Sequence, residues 1–344
     1  MGVCPCSVRD PLPGRLAQGS SYREGLAFRR DGRGDDGWGV RGYVRATMGV
    51  VFEGFALRWF DVAEGVRLRV RVGGEGPAVV LLHGHPRTHT TWYRVAPQLI
   101  AAGFTVVCPD LRGYGRSTAP APQPDHAQAS KRAMAADVVT LMHLLGHDRF
   151  AVVGHDRGSY VAHRLAMDFP DRTSHLVVLD CVPIGEALAR ADARFAEAWW
   201  HWFFFAQPDK PERAITADPD AWYGAGSEQQ ARMGEQNYAD YLAAIHDPGV
   251  IQAMVEDYRA GLGVDRAADD ADKGAGRSVQ CPTLVAWSTR DDMQALYGDV
   301  LEVWRPWAPD LTGYAIDSGH HMAEDAPDDL ANLLIAHIAS PRST

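Results

Sequence analysis

The chain reads as an α/β protein: a mostly parallel sheet flanked by helices, with a helical segment inserted late in the sheet. Three observations carry this reading. Short β-branched runs alternate with helical segments between residues 78 and 180, the pattern of βαβ units rather than of a sandwich. In one unit, a Gly-x-Asp-x-Gly turn at residues 154–158 joins a strand directly to a helix, and such a turn holds its central side chain up at the sheet edge. The alternation then stops at Pro183, gives way to about a hundred residues of helical pattern, and resumes at Thr283.

The elements follow in order. Residues 57–62 and 66–72 form a strand pair around Glu64-Gly65. Strand 78–82, helix 93–102, strand 105–108, helix 131–145, strand 150–153, helix 159–168 and strand 176–180 make the first half. The helical stretch is broken by Pro208, Pro211, Pro219 and Pro248, since proline ends or restarts a helix. Strand 283–287, helix 294–303, strand 312–316 and a last helix near 327–338 complete the sheet. This gives a core of residues 48–182 with 281–344, and a helical cap of residues 183–280.

Residues 1–47 are rich in Gly and Arg without sustained apolar periodicity, so they are expected to be a disordered extension. Met48, directly before the first organised segment, offers an alternative start. The Gly37–Gly42 run matches a dinucleotide-binding pattern by letter only, because no strand precedes it and no helix follows.

Net charge is −10 with no basic stripe, which argues against nucleic acid as partner. No apolar run approaches the ~20 residues that cross a bilayer. Five scattered cysteines and no secretory signal point to a reduced, cytoplasmic protein.

In open parallel sheets, functional groups gather beyond the carboxyl ends of the strands. Five segments end there with reactive residues: His83-Gly84-His85-Pro86, Asp110 to Ser117, Asp156, Asp180, and Ser318-Gly319-His320-His321. Asp156 stands where the common elbow has serine, and the swap restricts the chemistry. A carboxylate is ionised at neutral pH and needs no base to attack. Attack on an acyl carbon would give an anhydride, whereas attack on a carbon bearing a halide or strained oxygen gives an ordinary ester that water can cleave. Displacement at saturated carbon is therefore expected. His83, His85 and His89 do not make a metal site, because Arg87 stands where a metallo-hydrolase pattern needs Asp; no metal or cofactor is expected. Arg112 and Asp110 are expected to brace loops, and His321 to be structural.

From about Phe52 to Ile338 the chain resembles the haloacetate (fluoroacetate) dehalogenase group of α/β-hydrolases. The resemblance rests on Leu-Leu-His-Gly-His-Pro at 81–86, Pro-Asp-Leu-Arg-Gly-Tyr-Gly-Arg-Ser at 109–117 and Gly-His-Asp-Arg-Gly at 154–158. It rests also on the stretch 163–172, Val-Leu-Asp at 178–180, Glu-Asp-Tyr-Arg-Ala at 256–260 and Ser-Gly-His-His at 318–321. It implies Asp156 as nucleophile, His320 as the base that activates water, and Asp180 as the acid that orients His320, with Asp291 as the less favoured alternative. Backbone N–H groups of His85 and Arg157 would stabilise the oxyanion. His201, Trp202 and Tyr258 would receive the halide, and Arg157 would pair with a substrate carboxylate. The periodicity of Ile251, Met254, Val255, Tyr258 and Leu262 independently turns Tyr258 inward. The group's haloacetate enzymes carry a second Arg three residues after the first, and here that position is Tyr160. Tyr160 would donate one hydrogen bond or line a pocket for another substrate. The partners implied are a small-molecule substrate and a second copy in a homodimer. Two other functions stay open. An epoxide hydrolase would use the same Asp-His-Asp set with two tyrosines drawn from Tyr223, Tyr238, Tyr241 and Tyr258, and a binding protein without turnover would use none of it.

Overall fold

The structure, a computed structural model, describes residues 52–340. The expected disorder of residues 1–47, the start at Met48 and the Gly37–Gly42 run lie outside the described residues.

Eight strands form one sheet in the order β1-β2-β4-β3-β5-β6-β7-β8. They are β1 (Ala56–Ala63), β2 (Val66–Gly73), β3 (Ala78–Leu82), β4 (Thr105–Pro109), β5 (Phe150–His155), β6 (Thr173–Leu179), β7 (Thr283–Ser288) and β8 (Leu311–Ile316). β1 and β2 pair antiparallel about Glu64-Gly65, and β2 meets β4 antiparallel. The pairings from β4 through β3, β5, β6 and β7 to β8 are parallel.

β3 is apolar at every position, and its neighbours β4 and β5 are buried along their whole length, because both faces are covered. Val80, Leu82 and Val152 pack into one apolar layer, while Val79, Leu81, Ala151 and Val153 pack into the other. Each fully buried Val or Leu contributes about 1.5–3 kcal/mol, so the middle of the sheet is its most strongly held part. The reactive residues sit at the ends of these strands.

Helix boundaries differ from expectation where proline and glycine act. The expected helix 93–102 is a short 3₁₀ turn, His89–Trp92, followed by a helix over Ala96–Ala101. Pro97 lies in the first turn of that helix, where its missing N–H costs nothing. The expected helix 294–303 divides at Gly298, φ 69°, into Met293–Tyr297 and Val300–Trp304. The side chain of Asp299 caps the second piece.

Between β6 and β7 the chain is helical, from Ile184–Ala189 to Arg266–Gly274. Pro211, Pro219 and Pro248 each stand in the first turn of a helix. The helix Pro248–Ala260 buries Ile251, Met254, Val255 and Tyr258 on the expected face, with Leu262 half-buried just beyond.

Candidate active site

Asp156 follows β5 and begins the helix Arg157–Asp168. Its backbone lies at φ 50°, ψ −119°, a conformation that costs a non-glycine residue about 1–3 kcal/mol. The surrounding glycines make the turn possible. A Cβ on Gly154 would stand 2.2 Å from the carbonyl oxygen of Gly158, and one on Gly158 would stand 2.4 Å from that of Leu82. On the opposite side a Cβ on Gly84 would reach 2.4 Å from Asp156 Oδ1, so the loop after β3 can close on the carboxylate only as glycine. The next residue uses that approach: the His85 N–H donates to Asp156 Oδ1 at 2.7 Å. Arg157 is the first residue of its helix, so its N–H has no partner within that helix.

The two oxygens of Asp156 therefore differ. Oδ1 is held by backbone, while Oδ2 lies 3.7 Å from His320 Nε2. His320 comes from the loop after β8, and His155 Nε2 donates to its carbonyl oxygen at 2.6 Å. His320 Nδ1 faces two carboxylates at once, Asp180 Oδ2 at 2.8 Å and Asp291 Oδ2 at 2.9 Å. Asp180 is the deeper of the two. It is buried, and its Oδ1 accepts the Ser288 N–H at 3.0 Å. The favoured acid and its alternative both reach the same nitrogen.

This arrangement fixes where the protons lie. Burial by itself would push the His320 imidazole down, but the charges of Asp156, Asp180 and Asp291 outweigh it and hold His320 well above its ordinary value. Burial would raise Asp156, and the nearby His320, His155 and Arg157 bring it far below the usual carboxylate range. The resting pair is thus a carboxylate beside an imidazolium. Asp180 is raised by burial and by Asp291, while His320 helps to lower Asp291 to about 2 against its own burial.

A cavity of about 210 Å³ opens on this group, lined by Asp156, Asp180, Asp291, Asp292 and His320 from the core and by Ala198, Trp199, His201 and Trp202 from the helical segment. Trp199 Nε1 donates to Asp292 Oδ2 at 2.6 Å, fastening the mouth. His201 and Trp202 belong to the helix Trp200–Phe205. The Tyr258 ring meets His201 at 5.6 Å, Trp202 at 6.2 Å and the His85 ring at 5.3 Å between centroids. Burial lowers His201 to about 4, so it is a neutral donor or acceptor at pH 7.

Arg157 is engaged within the protein, on Asp257. Its side chain is wholly buried, and Nη2 donates to Asp257 Oδ1 at 2.8 Å and to the Asp257 carbonyl at 3.0 Å. Nε reaches Asp257 Oδ2 at 3.3 Å, and only Nη1 has no hydrogen-bond partner. Tyr258, Tyr160 and Trp202 cover the guanidinium at 4.1, 5.1 and 5.5 Å from their ring centroids. Tyr160 is itself buried, with its ring edge-on to Trp202. Lys131 also binds Asp257, and Tyr114 donates to its Oδ2 at 2.6 Å. Asp257 consequently stays ionised: burial raises it, but Arg157 and Lys131 bring it to about 2.

Asp257, Lys131, Trp199 and Asp292 were missed from the sequence. Asp257 had a signal, since it precedes Tyr258 inside the quoted 256–260 stretch. Lys131, one of three lysines, gave none. Arg112 braces its loop as expected, through Asp137 and the Gln128 carbonyl, and Asp110 does so through His89. Among the described residues, two sets of side chains stand close enough to share a metal ion, His89-Asp110-Asp240 and Asp180-Asp291-His320. In each set the histidine Nδ1 is already hydrogen-bonded to a carboxylate of the set.

A strained aspartate elbow, a late-loop histidine and its acid on a mostly parallel eight-stranded sheet define an α/β-hydrolase. The chain matches the alpha/beta hydrolase fold family over residues 77–327 and belongs to it. Among relatives, it is 42% identical to a fluoroacetate dehalogenase from Burkholderia sp., over 85% of this chain and 97% of that one. It is 31% identical to a soluble epoxide hydrolase from Corynebacterium sp., over 81% and 96%. A solved α/β-hydrolase from Nostoc superimposes with a TM-score of 0.79 at 38% identity, covering 83% of this chain and 99% of that one. Among the described residues no helix is long and apolar enough to cross a membrane.

Proposed function

We propose that this hydrolase cleaves carbon–halogen bonds at saturated carbon by two displacements through Asp156. In the first, Oδ2 attacks carbon, a C–O bond forms, and the C–X bond breaks with its electron pair leaving on the halide. His201, Trp202 and Tyr258 receive the halide as converging donors. In the second, water adds to Cγ of Asp156 and His320 takes the water's proton. The His85 and Arg157 N–H groups hold the oxyanion on Oδ1, and collapse releases the alcohol and restores the carboxylate. Asp180 orients His320, and the helical segment acts as a cap that excludes bulk water.

The observation that carries this reading is the division of labour between the Asp156 oxygens. Oδ1 is bound by the His85 N–H, and Oδ2 faces His320. The electrostatics add a timing. In the resting site three carboxylates hold the His320 proton, so the imidazole cannot act as base. Esterification neutralises one of them, and His320 then releases its proton more readily. If ester hydrolysis limits turnover, kcat rises with pH as His320 deprotonates. The resemblance also carries a cytoplasmic homodimer, and the described cysteines, Cys108, Cys181 and Cys281, are free and buried, as a reducing compartment favours.

Asp156→Asn should abolish halide release from chloroacetate and fluoroacetate, by about 10⁴-fold or more. Release that survives in the variant would remove the reading. Epoxide opening is the second reading, favoured by the Corynebacterium relative and by Tyr223, whose buried hydroxyl has no hydrogen-bond partner. Both Tyr223 and Tyr258 pack on the His85 ring, at 5.5 and 5.3 Å. Diol formation from styrene oxide without any halide release from haloacids would establish it. A binding protein would produce neither.

A further inference from the structure

Exposure rises along the Asp156 cavity and shows where it opens. Asp180 and Trp202 are buried, Trp199, Asp291 and Asp292 are half-buried, and Ala198 is exposed. The mouth therefore lies between Ala198-Trp199 on the helical segment and Asp291-Asp292 on the loop after β7. One hydrogen bond between lining side chains spans it, from Trp199 Nε1 to Asp292 Oδ2 at 2.6 Å. Asp292 Oδ1 is buried without a hydrogen-bond partner, so the carboxylate is held through Oδ2. The Trp199 ring meets Tyr297 of the core at 6.1 Å, and Phe195 and Trp202 of the helical segment at 5.2 Å each. Trp199 stands between two short helices, Ala193–Ala198 and Trp200–Phe205, with φ −112° and ψ 35°. Such an element-terminal position can absorb a change of backbone angle, while His201 and Trp202 stay on the second helix.

In-line displacement assigns the other walls. Asp156 attacks from one side, the halide leaves toward His201 and Trp202, and His320 with Asp180 stands beside the nucleophile. A substituent on the reacting carbon lies to the side of that line, and the wall left to it is the mouth. At about 210 Å³ the cavity is smaller than ordinary ligand pockets of about 300–1,000 Å³. An added alkyl group is thereby brought against Trp199. We propose that Trp199, fastened by Asp292, is a specificity-determining residue of this site: it admits an unsubstituted haloacetate and disfavours haloacids that carry an alkyl group on the reacting carbon. The inference rests on Asp156 as nucleophile and on His201 and Trp202 as halide donors.

The test is halide release from chloroacetate and from each enantiomer of 2-chlorobutyrate, in the intact protein and in Trp199→Ala, Trp199→Phe and Asp292→Ala. These substrates are all anions, so removing the Asp292 charge acts on them alike. A general loss through Trp202 or Asp291, the neighbours of the pair, also cancels in the ratio of kcat/KM values. The ratio of chlorobutyrate to chloroacetate should rise by about tenfold or more in Trp199→Ala, relative to wild type. Trp199→Phe keeps a ring without the donor, and Asp292→Ala removes the acceptor. Each should raise the ratio by about threefold or more through the lost bond, and these two decide if Trp199→Ala does not fold. Ratios within about twofold of wild type in every folded variant overturn the inference and leave the dehalogenation reading standing. If wild type releases no halide in an Asp156-dependent manner from either compound, dehalogenation and this inference fall together.

Discussion

Two clusters of buried charge lie within one site, and they are built in opposite ways. Around His320, three carboxylates compete for one imidazole, and the side chains of His320 and Asp291 remain about a third exposed, at 33% and 28%. Around Arg157, two cations and two carboxylates match one another in charge while buried, with Arg157 Nη1 and Asp265 Oδ2 left without a hydrogen-bond partner. The first cluster has more negative charge than it can neutralise and faces a cavity; the second is closed on itself. Unbalanced charge that water can reach can change protonation during a reaction, whereas balanced buried charge mainly fixes geometry. The same residue types thus support turnover in one place and hold the nucleophile's neighbour still in the other.

The largest way to break that contrast is His320→Gln. The variant should release one equivalent of halide per site and then stop, with loss of steady-state turnover by about 10³-fold or more. Mass spectrometry should find the ester on the peptide containing Asp156. A variant that keeps turning over would show that His320 is not the base.

The second concerns the closed cluster. Asp257→Asn leaves Arg157 and Lys131 buried without their shared counter-ion, and should lower unfolding free energy by about 3–5 kcal/mol. Urea unfolding measures it, and a change below about 1 kcal/mol would mean that the cluster is not balanced through Asp257.

The third sharpens the open cluster. Because Asp180 and Asp291 share His320 Nδ1, each Asn variant keeps one acid on the ring. Asp180→Asn should reduce kcat by about 10²-fold and Asp291→Asn by about tenfold or less, while the double variant should approach 10⁴-fold. Equal and strictly multiplicative losses would contradict sharing.

The smallest effect is on stability against pH. His320 is raised in the folded chain, so its contribution is fully present below its unfolded value of about 6.5 and is lost as pH rises through the folded value. Asp156 is depressed, so its contribution is present above about 3.9 and is lost as pH falls through the folded value. The wild type should therefore lose stability on the alkaline side more steeply than His320→Gln, read as Tm against pH. Parallel curves would separate His320 from these carboxylates.

Much of this was legible in the sequence, for identifiable reasons. β3 and the final helix matched their expected bounds, because apolar runs and Pro327 mark their ends. Asp156, His320 and Asp180 could be placed together because a parallel sheet gathers its strand ends. Contacts between distant segments were less visible. Nothing local to Arg157 says that Asp257, a hundred residues later, occupies its guanidinium. Nothing local to Asp291 says that it joins Asp180 instead of replacing it. The first depends on how the helical segment seats on the core and the second on how the loops after β6, β7 and β8 meet; periodicity gives the inward face of Tyr258 but not its partners.

The most direct test of two displacements through Asp156 is a single turnover in ¹⁸O-labelled water, with enzyme in excess over a halide substrate. Attack of water on Cγ of Asp156 puts the label in that carboxylate, and the first alcohol formed carries unlabelled oxygen from the enzyme. Label found in the first alcohol, with none in Asp156, would mean that water attacks the substrate carbon directly and that no ester forms.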